Sequence, residues 1–142
     1  MQLSIAALTT LFSAGALAAP VSTFAATEWT ITSLSRTCTA TDSSCAWTFG
    51  IDTGSAPTPC TFVVKSTATA GASTANGGPA TCGAYTVTSG WSGQFGAGEG
   101  FTTLSVVDYA AKLIAYPAYT DKQLPNATVV TPDLSFPVQT LA

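Results

Sequence analysis

All four cysteines of this chain fall between Cys38 and Cys82, and its strand-like runs are strung around them. Cys45-Ala-Trp-Thr-Phe-Gly-Ile51, Cys60-Thr-Phe-Val-Val64 and Ala84-Tyr-Thr-Val-Thr88 lie in or beside that interval. An even number of cysteines in a short exported chain reads as a disulfide frame. The frame sets the compartment in which the chain lives and the way it holds together.

Export is read from residues 1–18. The apolar run Leu3, Ile5, Ala6, Ala7, Leu8, Leu11 and Phe12 leads into Ala16-Leu17-Ala18, a small-x-small cleavage pattern. Pro20 favours a cut after Ala18 over one after Ala19. Thr9, Thr10 and Ser13 interrupt the run, which falls short of the ~20 residues of a membrane span. The expected organisation is a secretory signal peptide, 1–18, and a single domain, 19–142, that works outside the cell.

Composition removes several classes of function. With four Lys and Arg in 142 residues the chain cannot build the basic face that phosphate neutralisation needs, so no nucleic-acid partner is expected. A charged fraction of 8% with 10% aromatics is also unlike a disordered chain.

The mature part alternates like a β protein. In Glu28–Arg36, Trp29 and Ile31 share one face while Thr30 and Thr32 share the other. Cys45–Asp52 places Trp47, Phe49 and Ile51 together, and the polar stretch Thr39–Ser44 between these two runs holds a turn at Asp42-Ser43. Further strands are read at Cys60–Ser66, Ala84–Ser89, Phe101–Asp108, Lys112–Tyr116, Asn126–Thr131 and Leu134–Val138. Pro132 and Pro137 push the last two towards sheet edges. Thr67–Pro79 is small-residue and polar, and reads as an exposed excursion. Thr120-Asp-Lys-Gln123 carries a capping-box pattern stopped by Pro125, which allows one helical turn.

Short strands at this spacing with little helix signal give an all-β fold. We expect an antiparallel β-barrel or closed sandwich of eight or more short strands, stapled by two disulfides. Cys38 and Cys45 would sit at the two ends of a hairpin loop, and Cys60 and Cys82 on either side of the excursion. The reading adopts Cys38–Cys45 and Cys60–Cys82, with the other two pairings left open.

Catalytic constellations are scarce. The chain has no histidine, so triad chemistry is absent, and oxidised cysteines supply neither a thiolate nucleophile nor a zinc site. Among the seven acids, Glu99 and Asp108 flank one strand and form the one carboxylate pair worth weighing for glycoside hydrolysis. Gly90–Gly100 lacks a nucleotide-loop spacing, yet it carries Trp91, Phe95 and Glu99 on what reads as a wide glycine-rich turn. Those three form the candidate recognition surface, with Trp91 read as a core anchor and Phe95 and Glu99 as contacts. Asn126-Ala-Thr128 is an N-glycosylation sequon. No cofactor and no metal are expected.

From Trp29 onwards the sequence resembles a group of small secreted fungal proteins, the hypersensitive-response-inducing elicitors typified in the rice blast fungus. The residues that carry the resemblance are Glu28-Trp-Thr-Ile-Thr-Ser-Leu34, the cysteine frame and Ser89-Gly-Trp-Ser-Gly-Gln-Phe-Gly96. They continue through Gly100-Phe-Thr-Thr-Leu-Ser-Val-Val-Asp108 and Tyr116-Pro-Ala-Tyr119. The resemblance implies an extracellular effector that provokes local cell death and defence signalling in a host plant and aids infection. A more distant similarity, through the Trp29 strand start and the Cys60…Cys82 pair, is to the major mould allergen β-barrels. That family's further C-terminal cysteine pair is missing, so its covalent dimer does not carry over.

The resulting expectation is a monomer that acts by being recognised by a plant cell-surface or apoplastic receptor, with peripheral plasma-membrane contact as an option. A carbohydrate- or wall-binding protein is the alternative, and a hydrolase using Glu99 and Asp108 comes third.

Overall fold

Burial alternates along nearly every strand with the period of two that the sequence announces. The computed structural model describes residues 27–142; the expected signal peptide and its cleavage point lie outside the described residues. Among those residues the strands are β1 (Glu28–Cys38), β2 (Ser44–Asp52), β3 (Thr58–Lys65), β4 (Gly77–Cys82), β5 (Tyr85–Ser92), β6 (Phe101–Asp108), β7 (Leu113–Ala115), β8 (Ala118–Thr120) and β9 (Leu134–Thr140). Every pairing is antiparallel, in the order β3-β2-β1-β9-β7-β6-β5-β4, with β8 also on β6.

β3 and β4 are the two ends of this sheet, and the Cys60–Cys82 disulfide joins them. The sheet thus curls into a nearly closed barrel whose one seam is covalent where the others are hydrogen-bonded. The second disulfide, Cys38–Cys45, clips the facing ends of the β1–β2 hairpin. The fold class and both pairings are as the sequence reads.

Side chains fill the interior. Trp29 meets Tyr85 edge-on at 5.4 Å, Trp47 stacks on Phe62 at 6.0 Å, and Tyr119 meets Phe136 at 5.8 Å. Aromatic pairs in these arrangements contribute about 0.5–1.5 kcal/mol each beyond the area they bury. β7 and β8 act as one strand interrupted at Tyr116–Pro117. Both pair with β6, and Leu104 N–H still reaches the Pro117 carbonyl at 2.7 Å.

Three expectations are corrected. The stretch 67–79 is not an exposed excursion. Ala72 and Ala75 are buried, Ala72–Thr74 forms a 3-10 turn, and Gly77 opens β4. The cause is Asp42, in the β1–β2 turn, which takes bonds from Ser73 N–H (2.8 Å) and Ser73 Oγ (2.7 Å), while its own carbonyl takes Ala72 N–H (2.8 Å). Gly71 packs directly on that carboxylate, where a Cβ would collide.

Residues 126–131 form no strand. They run beside β1 with only two backbone bonds, Ala127 N–H to Arg36 O and Val130 N–H to Leu34 O.

β9, finally, is no edge strand despite Pro137. It spans β1 and β7, pairing with β1 through Leu134–Pro137 and with β7 through Val138–Thr140. Val138 N–H points to Thr27, so by strand alternation the missing N–H of Pro137 faces the β7 side, just past the last paired residue of β7. The proline therefore costs no ladder bond.

Candidate recognition site

The β5–β6 connection is built from two chained turns, Gly96 N–H to Gly93 O (3.0 Å) and Glu99 N–H to Gly96 O (3.1 Å). Positive φ at Gly96 and Gly98 lets the chain fold so tightly. The loop is held at its base by Trp91. Its ring lies between Gly93 and Gly100, where added Cβ atoms would approach it to 2.5 and 2.7 Å. Its Nε1 donates to Asp121 Oδ2 at 3.0 Å. Trp91 is thus a half-buried anchor of the loop and not part of the barrel core.

Phe95 and Glu99 line a cleft of about 360 Å³ together with Phe101, Ala118, Tyr119, Thr120 and Gln123. Phe95 is 67% exposed and stacks on Phe101 at 5.7 Å. An aromatic left this open, on a second aromatic, is unusual for a ring that could be buried. Glu99 pairs with Lys122 at 3.0 Å, and both side chains remain mostly exposed, so the pair is worth about 0–1 kcal/mol. The opposite wall is the Thr120–Gln123 capping box, formed as the sequence reads: Thr120 Oγ1 takes Gln123 N–H while Gln123 Oε1 takes Thr120 N–H. That leaves the Gln123 amide nitrogen free to face a ligand. Chemically the cleft is an apolar floor with a carboxylate, itself paired to Lys122, and an amide donor on its rim.

Sequence reasoning missed Arg36 and Asp121. Strict alternation from Trp29 and Ile31 places Arg36 outside. A bulge between Thr32 and Ser35, with Ser33 at φ 49° and its N–H on Asp133 (2.8 Å), shifts the phase by one. Leu34 and Arg36 therefore turn inward. The signal was Leu34, a large apolar residue at the wrong parity.

The Arg36 guanidinium lies 5.6 Å above the Trp47 ring, reaches Ser73 O at 3.4 Å and stands 3.9 Å from Asp121 Oδ1. Burial pulls its pKa down from the ordinary value, against the opposing charges of Asp121 and Asp42. Asp121 so connects the loop anchor Trp91 to this interior cation.

The hydrolase candidates are not brought together. Glu99 precedes β6 and Asp108 ends it, and the seven steps of the strand set Phe101, two residues after Glu99, about 23 Å from Asp108 at ~3.3 Å per residue. Glycosidase carboxylates stand within ~10 Å. Asn126 is exposed, and its Oδ1 accepts Cys38 N–H at 2.6 Å. A Cys38–Asp42–Cys45 cluster has metal-like spacing, but both sulfurs are spent in the disulfide.

Residues 30–141 match the family described as Effector TSP1. This chain belongs to the Effector TSP1 family. A protein of Hypocrea virens named Effector TSP1 is 54% identical over 143 aligned positions, covering 96% of each chain. The Effector TSP1 match agrees with the fungal effector group that the sequence resembles, at the level of family; it does not extend to the rice blast protein in particular. Membership of the Effector TSP1 family and two disulfides fit a secreted protein.

Proposed function

We propose that this chain is a secreted fungal effector that triggers hypersensitive cell death and defence in a host plant by being recognised, without catalysis. The observation that carries the reading is Phe95, held open on a loop pinned by Trp91, in a cleft it shares with Glu99 and Gln123. Exposed aromatics with a polar rim are the usual centre of a binding hot spot. A cell-surface or apoplastic plant receptor is the partner, met by the monomer. Support comes from the effector family, from the disulfide-held barrel and from the separation of the two candidate carboxylates.

Infiltration of purified protein into leaves tests it. The native protein at sub-micromolar dose gives necrosis and an oxidative burst, and Phe95→Ala combined with Glu99→Ala loses the response while melting as the native protein does. No response from the native protein ends the reading.

A second reading has one observation behind it. The open face of the Phe95–Phe101 stack, with Glu99 and Gln123 beside it, suits the apolar face of a sugar ring. Retention on chitin or cellulose that Phe95→Ala abolishes would establish wall binding; no retention would remove it.

A further inference from the structure

A second, polar pocket of about 280 Å³ is lined by Arg36, Cys38, Thr39, Ala40, Asp42, Ser73, Leu124 and Asn126. Arg36 lines it although only 7% exposed, and its Nε has no hydrogen-bond partner among the described residues. Sealed in this way, that nitrogen is out of a ligand's reach; the demand for an acceptor comes from the outer edge of the guanidinium, whose Nη1 has only a long 3.4 Å bond to Ser73 O. The demand is not for an anion: one guanidinium faces two carboxylates, Asp42 and Asp121, and the local charge is already negative. A neutral carbonyl or hydroxyl oxygen fits.

Asn126 borders the same pocket, in the sequon Asn126-Ala-Thr128. Its Oδ1 is committed to Cys38 N–H, which fixes the carboxamide and leaves Nδ2 as its free end. Asn126, Ala127 and Thr128 are all exposed. From these facts we propose that Asn126 is N-glycosylated during export and that the first N-acetylglucosamine folds back into this pocket. Its acetamide carbonyl or ring hydroxyls meet the Arg36 guanidinium, and its acetyl methyl meets Leu124.

The chemistry is group transfer from a polyprenyl-pyrophosphate-linked oligosaccharide. A bond forms between sugar C1 and Asn126 Nδ2, the C1–O bond to the pyrophosphate breaks, and Nδ2 gives up one proton. The polyprenyl pyrophosphate is the leaving group. The fold then has to leave room for the sugar, and the exposed turn and the pocket beside it do so.

The proposal rests on export, and its test separates the two. The full chain with its own leader is expressed in a fungal secretory host, and the secreted protein is weighed before and after an endoglycosidase that leaves one N-acetylglucosamine. Thr128→Ala, which keeps the Asn126–Cys38 bond, is the unglycosylated control, and Thr128→Ser is the conservative one. Expected are a glycan mapped to Asn126, kept in Thr128→Ser and lost in Thr128→Ala. The trimmed glycoform should melt about 3 °C above Thr128→Ala, the scale of a sub-kcal/mol gain in a domain of this size. Its acetyl methyl should show a nuclear Overhauser contact to the Leu124 methyls. Secreted protein with a bare Asn126 overturns the proposal alone, and a glycan with neither the shift nor the contact overturns the seating in the pocket. A chain that never enters the secretory pathway overturns the export reading together with it.

Discussion

Trp91 donates its indole N–H to Asp121 at 3.0 Å, tying the base of the β5–β6 loop to the turn that follows β8. The bond fixes one wall of the Phe95 cleft against the other. Gly100 makes it possible, because a Cβ there would stand 2.5 Å from Asp121 Oδ2 and 2.7 Å from the Trp91 ring. Gly100→Ala should therefore cost about 1–3 kcal/mol as an overpacked site. Trp91→Phe, which loses the hydrogen bond to a charged acceptor and part of the ring packed between Gly93 and Gly100, should cost about 2–4 kcal/mol. Both should depress the leaf response more than the fraction folded at working temperature, read by denaturant melts beside infiltration. An unchanged response in a folded Gly100→Ala protein would detach the loop from recognition.

The seam between β3 and β4 depends on Cys60–Cys82. Replacing both by Ala should cost about 3 kcal/mol through loop entropy, against about 2.5 kcal/mol for the shorter Cys38–Cys45 loop. The seam variant should also gain amide exchange along β3 and β4, which the hairpin variant should not, since β1 and β2 stay paired on both sides of the bulge at Ser33. Equal exchange in the two variants would mean that core packing alone holds the barrel shut.

Asp42 holds the 66–76 segment down. Asp42→Ala removes two bonds from Ser73 to a carboxylate and should destabilise by about 2–4 kcal/mol. Limited proteolysis should then cut between Ser66 and Asn76, where the native protein resists.

Tyr119 carries a buried hydroxyl with no hydrogen-bond partner among the described residues. Burial pushes its phenol pKa well up from the ordinary value, and the charge of Asp133 adds to it. The folded state thus keeps its proton where the unfolded chain gives it up. This contribution is whole below about pH 10, the phenol's value in the unfolded chain, and is lost as pH rises above it. Tyr119→Phe should remove that alkaline loss and raise stability by about 1 kcal/mol at neutral pH by deleting the bare hydroxyl. Chemical melts at pH 7 and pH 11 decide. A destabilised Tyr119→Phe would show that the hydroxyl is satisfied in solution.

Most of the strands, though neither β4 nor β8, the hairpin around Asp42, the two disulfides and the Thr120–Gln123 cap could be read from the chain alone. Each is a local matter: side chains two apart share a strand face, a cap spans three residues, and Cys38 and Cys45 close a loop of seven. The docking of 67–79, the inward turn of Arg36 and the meeting of Phe95 with Tyr119 and Gln123 could not be read so. They join residues far apart in sequence, and one bulged residue at Ser33 reverses the parity on which the reading of β1 rests. Sequence alone therefore determined that this protein is a disulfide-held antiparallel barrel with a glycine-rich aromatic loop. Tertiary closure decided which side chains face one another across it, because the bulge phase and the β3–β4 seam exist only once the whole sheet has curled.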